Sequence, residues 1–260
     1  MSSVTPVEIL LRRDRWVVGA VLVIAVTLCW AWLVPMARTM ERDGMMCGVA
    51  SWAMVDTWSP STLAMLFAMW AVMMAGMMLP SATPILLLYA GVVRKSPGIE
   101  RPAAHVYAFA AGYLVAWTLF SLGATLLQRV LTSYLLLSPT MASESPVFAS
   151  VMLIVAGLYQ LTPWKRACLS KCRSPVDFLT RFWKPGVRGG FRLGLAHGAY
   201  CVGCCWALML LLFVGGVMNL VWIAVLTLYV LLEKATPLGA RAGRWLGLVP
   251  IGFGVWLSIG

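Results

Sequence analysis

The chain has 260 residues, 61% of them hydrophobic and 11% charged, with a mean hydropathy of +0.87, which excludes a water-soluble globular domain and a disordered chain alike. A net charge of +11 would suggest nucleic acid in a soluble protein, but here the basic residues gather in alternate connecting segments, so nucleic acid is set aside as a partner.

Hydrophobic runs predict an all-α, polytopic transmembrane helix bundle of about seven spans, at 16–36, 61–92, 102–128, 147–163, 191–217, 219–235 and 246–259. Six spans are the alternative, because the last run is short and carries Pro250 with three glycines. No internal repeat or low-complexity tract divides the chain, so residues 1–260 read as a single integral membrane domain. The first run has no Ala-x-Ala site after it and is expected to remain as the first helix. With the N-terminus cytoplasmic, seventeen of the twenty Lys and Arg residues fall inside, leaving Arg38, Arg42 and Arg129 outside.

Cys29, in the first span, reads as packing. The loop after it carries Met45-Met46-Cys47 between Gly44 and Gly48, a tripeptide suited either to receiving a soft ion from outside or to dipping into the interface. The second span is too long for one straight crossing and is interrupted by Pro80 and Pro84. Each proline frees a carbonyl that Ser81, Thr83 or water would satisfy, so this is either a packing kink or unwound backbone lining a cavity. Before the break, Met65, Met69, Met73 and Met77 recur every four residues. They form a stripe that either fills the core or offers a ladder of thioether ligands for Cu(I). His105, near the start of the third span, is read as a lone polar residue.

After the fourth span, Cys168 and Cys172 lie among Lys165, Arg166, Lys171 and Arg173; on a helix both thiols share one face, and the neighbouring cations favour thiolates. Packing of a basic amphipathic segment on a membrane surface is the competing explanation. The fifth span holds the strongest signal. His197, Cys201, Cys204 and Cys205 project as one stripe, which Met209 extends by a turn. Three thiols and an imidazole on one intramembrane face point to a metal site more than to packing. Gly194, Gly198 and Gly203 on the same helix permit close approach within the chain or between chains, so an oligomer stays open. Seven cysteines, with only Cys47 clearly external, argue against a disulfide framework. At the end of the sixth span, Lys234 is expected to snorkel, and Glu233 reads as a structural ion pair, a proton-handling group or a ligand of a hard metal.

Four blocks taken together resemble a bacterial family of uncharacterised integral membrane proteins predicted to bind metal. They are Met73-Met74-Ala75-Gly76-Met77-Met78-Leu79-Pro80; Tyr159 to Lys165 with Cys168 and Cys172; Gly194, Gly198 and Cys201 to Met209; and Gly215 to Met218 with Glu233-Lys234. The resemblance implies metal binding and names neither a metal nor a reaction.

The residues themselves favour a soft transition metal, copper first and zinc as the alternative, because thiolate and thioether select Cu(I) while three cysteines with one histidine also suit tetrahedral Zn(II). The expected role is transport or delivery in a bacterial cytoplasmic membrane, with the lipid bilayer and a metallochaperone or metalloenzyme as partners. No P-loop or aspartyl-phosphate motif is present, and the chain is not expected to be an enzyme. Two alternatives stand beside this reading: a membrane thiol-disulfide oxidoreductase using Cys201-Val202-Gly203-Cys204, and a non-catalytic assembly subunit of a membrane complex.

Overall fold

A computed structural model describes residues 6–259 apart from 44–58, 98, 100, 135–136, 138–141 and 144. Met45, Met46 and Cys47 lie outside the described residues. The architecture is all-helical: α1 (Pro6–Asp43), α2 (Pro60–Lys95), α3 (Pro102–Ser133), α4 (Pro146–Leu161), α5 (Pro163–Arg173), α6 (Pro175–Phe182), α7 (Gly186–Leu210), α8 (Leu212–Gly215), α9 (Leu220–Ala235) and α10 (Pro237–Ile259). Proline opens most of these helices, at the position where its missing N–H costs nothing and its fixed φ already suits the helix. Ser59, Ser145, Thr162 and Asn219 cap α2, α4, α5 and α9 by accepting a backbone N–H in the first turn.

The seven expected segments fall on helices, but 147–163 runs past the end of α4 into α5 and 191–217 covers both α7 and α8. Among the described residues, four helical stretches are long and apolar enough to cross a membrane: Trp16–Thr39, Pro60–Lys95, Pro102–Ser133 and Gly186–Gly215. The α4–α5 pair, bent by 65° at Thr162–Pro163, would make a fifth. The α9 helix has 16 residues, which at 1.5 Å each reach only about 24 Å, short of a hydrocarbon core of about 30 Å. The α10 helix does not stand apart: Ser150 of α4 donates to the Gly254 carbonyl at 2.6 Å, and a Cβ on Gly247 would lie 2.8 Å from Gln160 Cβ.

The α2 helix runs unbroken through Pro80 and Pro84, so the backbone there is not unwound. Ser81 and Thr83 donate to the carbonyls of Met78 and Leu79 at 2.9 and 3.1 Å, inside the turn the prolines interrupt. Met69, Met73, Met74, Met77 and Met78 are all buried, whereas Met65 is 51% exposed. The α1 helix lies against this one, with Cys29 packed on Gly76, and is otherwise peripheral.

The α3 and α7 helices touch backbone to backbone. A Cβ on Gly194 would overlap the Phe109 carbonyl, and one on Gly198 would lie 2.6 Å from Ala116 Cβ. These glycines therefore serve an intrachain crossing. Gly194→Leu is expected to force α3 and α7 apart and to cost about 3 kcal/mol or more, read as a lowered thermal midpoint in detergent. Gly91→Ala, where nothing lies within 4 Å, should not lower that midpoint and should raise it slightly.

Candidate metal centre

Four thiols from two helices meet in the interior. Cys201, Cys204 and Cys205 of α7 are fully buried, and all of them are free thiols, as are Cys168 and Cys172. Cys204 Sγ lies 3.3 Å from Cys205 Sγ and 3.9 Å from Cys172 Sγ of α5. The second distance is close to the edge of a thiolate tetrahedron, about 3.8 Å for metal–sulfur bonds of about 2.3 Å. Cys168, one turn before Cys172, lies against Gly203: a Cβ there would fall 2.9 Å from Cys168 Sγ. A side chain at position 203 would therefore push α5 off α7. Tyr159 of α4 donates to the Gly203 carbonyl and packs edge-on to Trp206 with ring centroids 5.0 Å apart, tying the α4–α5 bend to the same turn.

Cys201 has a different environment. Lys234 Nζ donates to its Sγ at 2.8 Å and to Ser81 Oγ at 3.2 Å, while the Tyr113 hydroxyl is 3.1 Å from the sulfur and 3.1 Å from the Met78 carbonyl it donates to. An ammonium in contact with a sulfur is the setting in which the thiolate, the form that binds metal, is balanced in charge. Lys234 thus turns inward at the end of α9, contrary to the snorkelling expected of it. It thereby reaches α2 at Ser81, between the two prolines.

The expected ligands separate into two groups. Cys172, Cys201, Cys204 and Cys205 come together, with Cys168 beside them. His197, Met209, Met69, Met73 and Met77 are buried in the same interior, but no hydrogen bond joins His197 to the thiols. The His197 ring is held among Phe109, Tyr113 and Phe178, at centroid distances of 6.2, 5.9 and 5.1 Å, and its Nδ1 is buried without a partner. Among the described residues, no three His, Cys, Asp or Glu side chains already form a metal-holding group. Cys204 Sγ is the shared contact of Cys205 Sγ and Cys172 Sγ, an arrangement adequate for a soft monovalent ion, which needs as few as two ligands.

Sequence reasoning missed Tyr113 and Ser81 as partners of the thiol face and left the partner of Glu233 open. Glu233 pairs with Lys165 of α5, Nζ to Oε1 at 2.7 Å, with both side chains 3% exposed. The only local signal was an adjacent acid and base ending an apolar helix.

No curated protein and no solved structure matches the chain. Residues 67–257 match the model of a family described as PpoB2, copper chaperone, and on that match over most of its length the chain belongs to this family.

Proposed function

We infer that this chain is an integral membrane copper chaperone of a bacterial cytoplasmic membrane that carries Cu(I) as cargo on Cys172, Cys201, Cys204 and Cys205 and delivers it to a metalloenzyme. The observation that carries this reading is the meeting of four free thiols, with Cys204 Sγ 3.3 Å from Cys205 Sγ and 3.9 Å from Cys172 Sγ. Family membership supports copper, and the long apolar helices support a bilayer setting. A cytoplasmic N-terminus fits the positive-inside count. The buried methionines Met69, Met73 and Met77 give the cargo a soft path toward the thiols, with Met65 at the exposed end of the stripe. His197 and Met209 flank the thiols along α7 as further donors, and Cys168 with Cys172 is the pair through which cargo leaves α7.

The test is elemental analysis of detergent-purified protein supplied with Cu(I) under reducing conditions. Wild type is expected to hold about one copper per chain, and Cys201→Ser, Cys204→Ser, Cys205→Ser in combination almost none. Equal copper in both would overturn the site. Copper absent from both, with zinc present, would move the cargo to Zn(II). Met73→Leu with Met77→Leu should slow Cu(I) loading at least tenfold more than Zn(II) loading, because a thioether is a ligand for the softer ion. Uptake from a coloured Cu(I) chelator reads the first rate, and uptake from a fluorescent zinc indicator reads the second.

A further inference from the structure

Lys165 stands in the first turn of α5 and Glu233 in the last turn of α9, 68 residues apart in sequence. The Nζ reaches both carboxylate oxygens, Oε1 at 2.7 Å and Oε2 at 2.8 Å, and also donates to Gln160 Oε1 of α4. Gln160 Nε2 in turn donates to the Tyr229 hydroxyl at 3.1 Å. Gly243 of α10 closes the other side of the carboxylate: a Cβ there would lie 2.7 Å from Glu233 Oε1. Four helices are thus committed to enclosing one ion pair, and neither of its charges touches a thiol.

An enclosed ion pair is a poor source of stability compared with apolar packing of the same volume, whereas a buried contact of one ammonium with Glu233 and Gln160 together fixes the distance between the helix ends that carry them. That distance matters for α5. This helix is bent 65° from α4, so its course is set by its neighbours and not by continuation of α4. Its main neighbour is α7, on which Cys168 packs at Gly203 and toward which Cys172 points at Cys204; toward α9 the anchor is the Lys165–Glu233 pair, while Trp164 is 75% exposed and the Lys171–Asp177 pair near the far end is open to solvent. Lys165 and Cys172 are seven residues apart, about 10 Å along the helix axis, so a fixed start to α5 fixes where Cys172 arrives.

We propose that Lys165 and Glu233 form a positioning pair for the metal site: they set the register of α5 on α9 and thereby hold Cys172 as the fourth sulfur, beside Cys204. The consequence for metal rests on the cargo reading of the thiols given above; the positioning itself does not. Without the pair, the start of α5 is released from α9, and Cys172 is held beside Cys204 only by the packing of Cys168 on Gly203.

The experiment uses the full chain with Cys172 and Cys204 as its only cysteines, the other five replaced by alanine. Dibromobimane, which becomes fluorescent when it bridges two thiols, reads their proximity in detergent without any metal. Lys165→Met with Glu233→Gln removes both charges and avoids leaving one buried alone. This variant is expected to remain monodisperse and to bridge at least tenfold more slowly than the chain with the pair intact. The exchanged pair, Lys165→Glu with Glu233→Lys, should recover most of the rate. Bridging at the original rate in the neutral variant would overturn the positioning role. Should the neutral variant fail to fold, a folded exchanged pair that does not recover bridging would overturn it as well. In the chain with all its cysteines, Cu(I) should protect Cys172 from alkylation when the pair is intact and leave it reactive in the neutral variant. Slowed bridging with Cys172 never protected in either chain would uphold the positioning and refute the four-thiol cargo site.

Discussion

Lys234→Met is expected to weaken Cu(I) binding by on the order of a hundredfold while leaving the protein folded. With two of the four thiols deprotonated, thiolates and Cu(I) sum to a single negative charge, and Lys234 is the cation that touches the sulfur at 2.8 Å. With lysine present the loaded site is neutral. With methionine in its place the same complex is an uncompensated buried anion, a penalty of about 3 kcal/mol by comparison with other unpaired buried charges. The unloaded protein escapes this penalty because Cys201 can stay a neutral thiol beside the methionine. The loss should therefore appear in affinity and not in the thermal midpoint. Lys234→Arg keeps the charge and should recover part of the affinity, limited by the fit of a planar fork between Ser81 and Cys201. Chelator competition with the midpoint measured on the same samples checks both halves, and an unchanged Kd for Lys234→Met would remove the charge-balancing role.

Glu233→Gln alone has the opposite profile: a large loss of stability. The glutamine leaves the Lys165 ammonium buried at 3% exposure without its anion, and breaking one side of such a pair typically costs about 3–5 kcal/mol. The single variant is expected to elute as aggregate or to melt far below wild type in detergent. Adding Lys165→Met to it should restore most of the loss, since the two charges are then absent together. A single variant as stable as wild type would mean that water reaches Lys165.

The helices and the thiol face could be read from the sequence because both depend on local periodicity. Apolar runs show where the helices lie, although α1, α7 and α10 begin at Pro6, Gly186 and Pro237, ahead of the runs at 16, 191 and 246, and spacings of three and four residues place Cys201, Cys204 and Cys205 toward one neighbour. Local spacing also explains where that reading stops. A four-residue repeat advances about 40° beyond a full turn at each step, so the Met65 to Met77 stripe winds around α2 and its first member emerges at 51% exposure. His197 shares the stripe with Cys201, but helical side chains lean toward the N-terminus, and its ring settles into the Phe109, Tyr113 and Phe178 cage. Cys172 meeting Cys204 and Lys165 meeting Glu233 are pairings between distant helices, and no spacing within a single segment encodes them. The inward turn of Lys234 has the same cause: a buried anion-forming group, absent from its own helix, outweighs the pull of solvent.

The backbone contact of α7 with α3 has a mechanical consequence. Two helices joined at Gly194 and Gly198 with no side chain between them cannot roll or slide past each other without collision. Three sulfurs therefore ride on a fixed jaw, and the fourth belongs to the short, sharply bent segment that closes on it. On the proposed cargo role, loading and unloading would require α5 to move against α7: spin labels placed on α3 and α7 should keep one separation through the cycle, and a label on α5 should not.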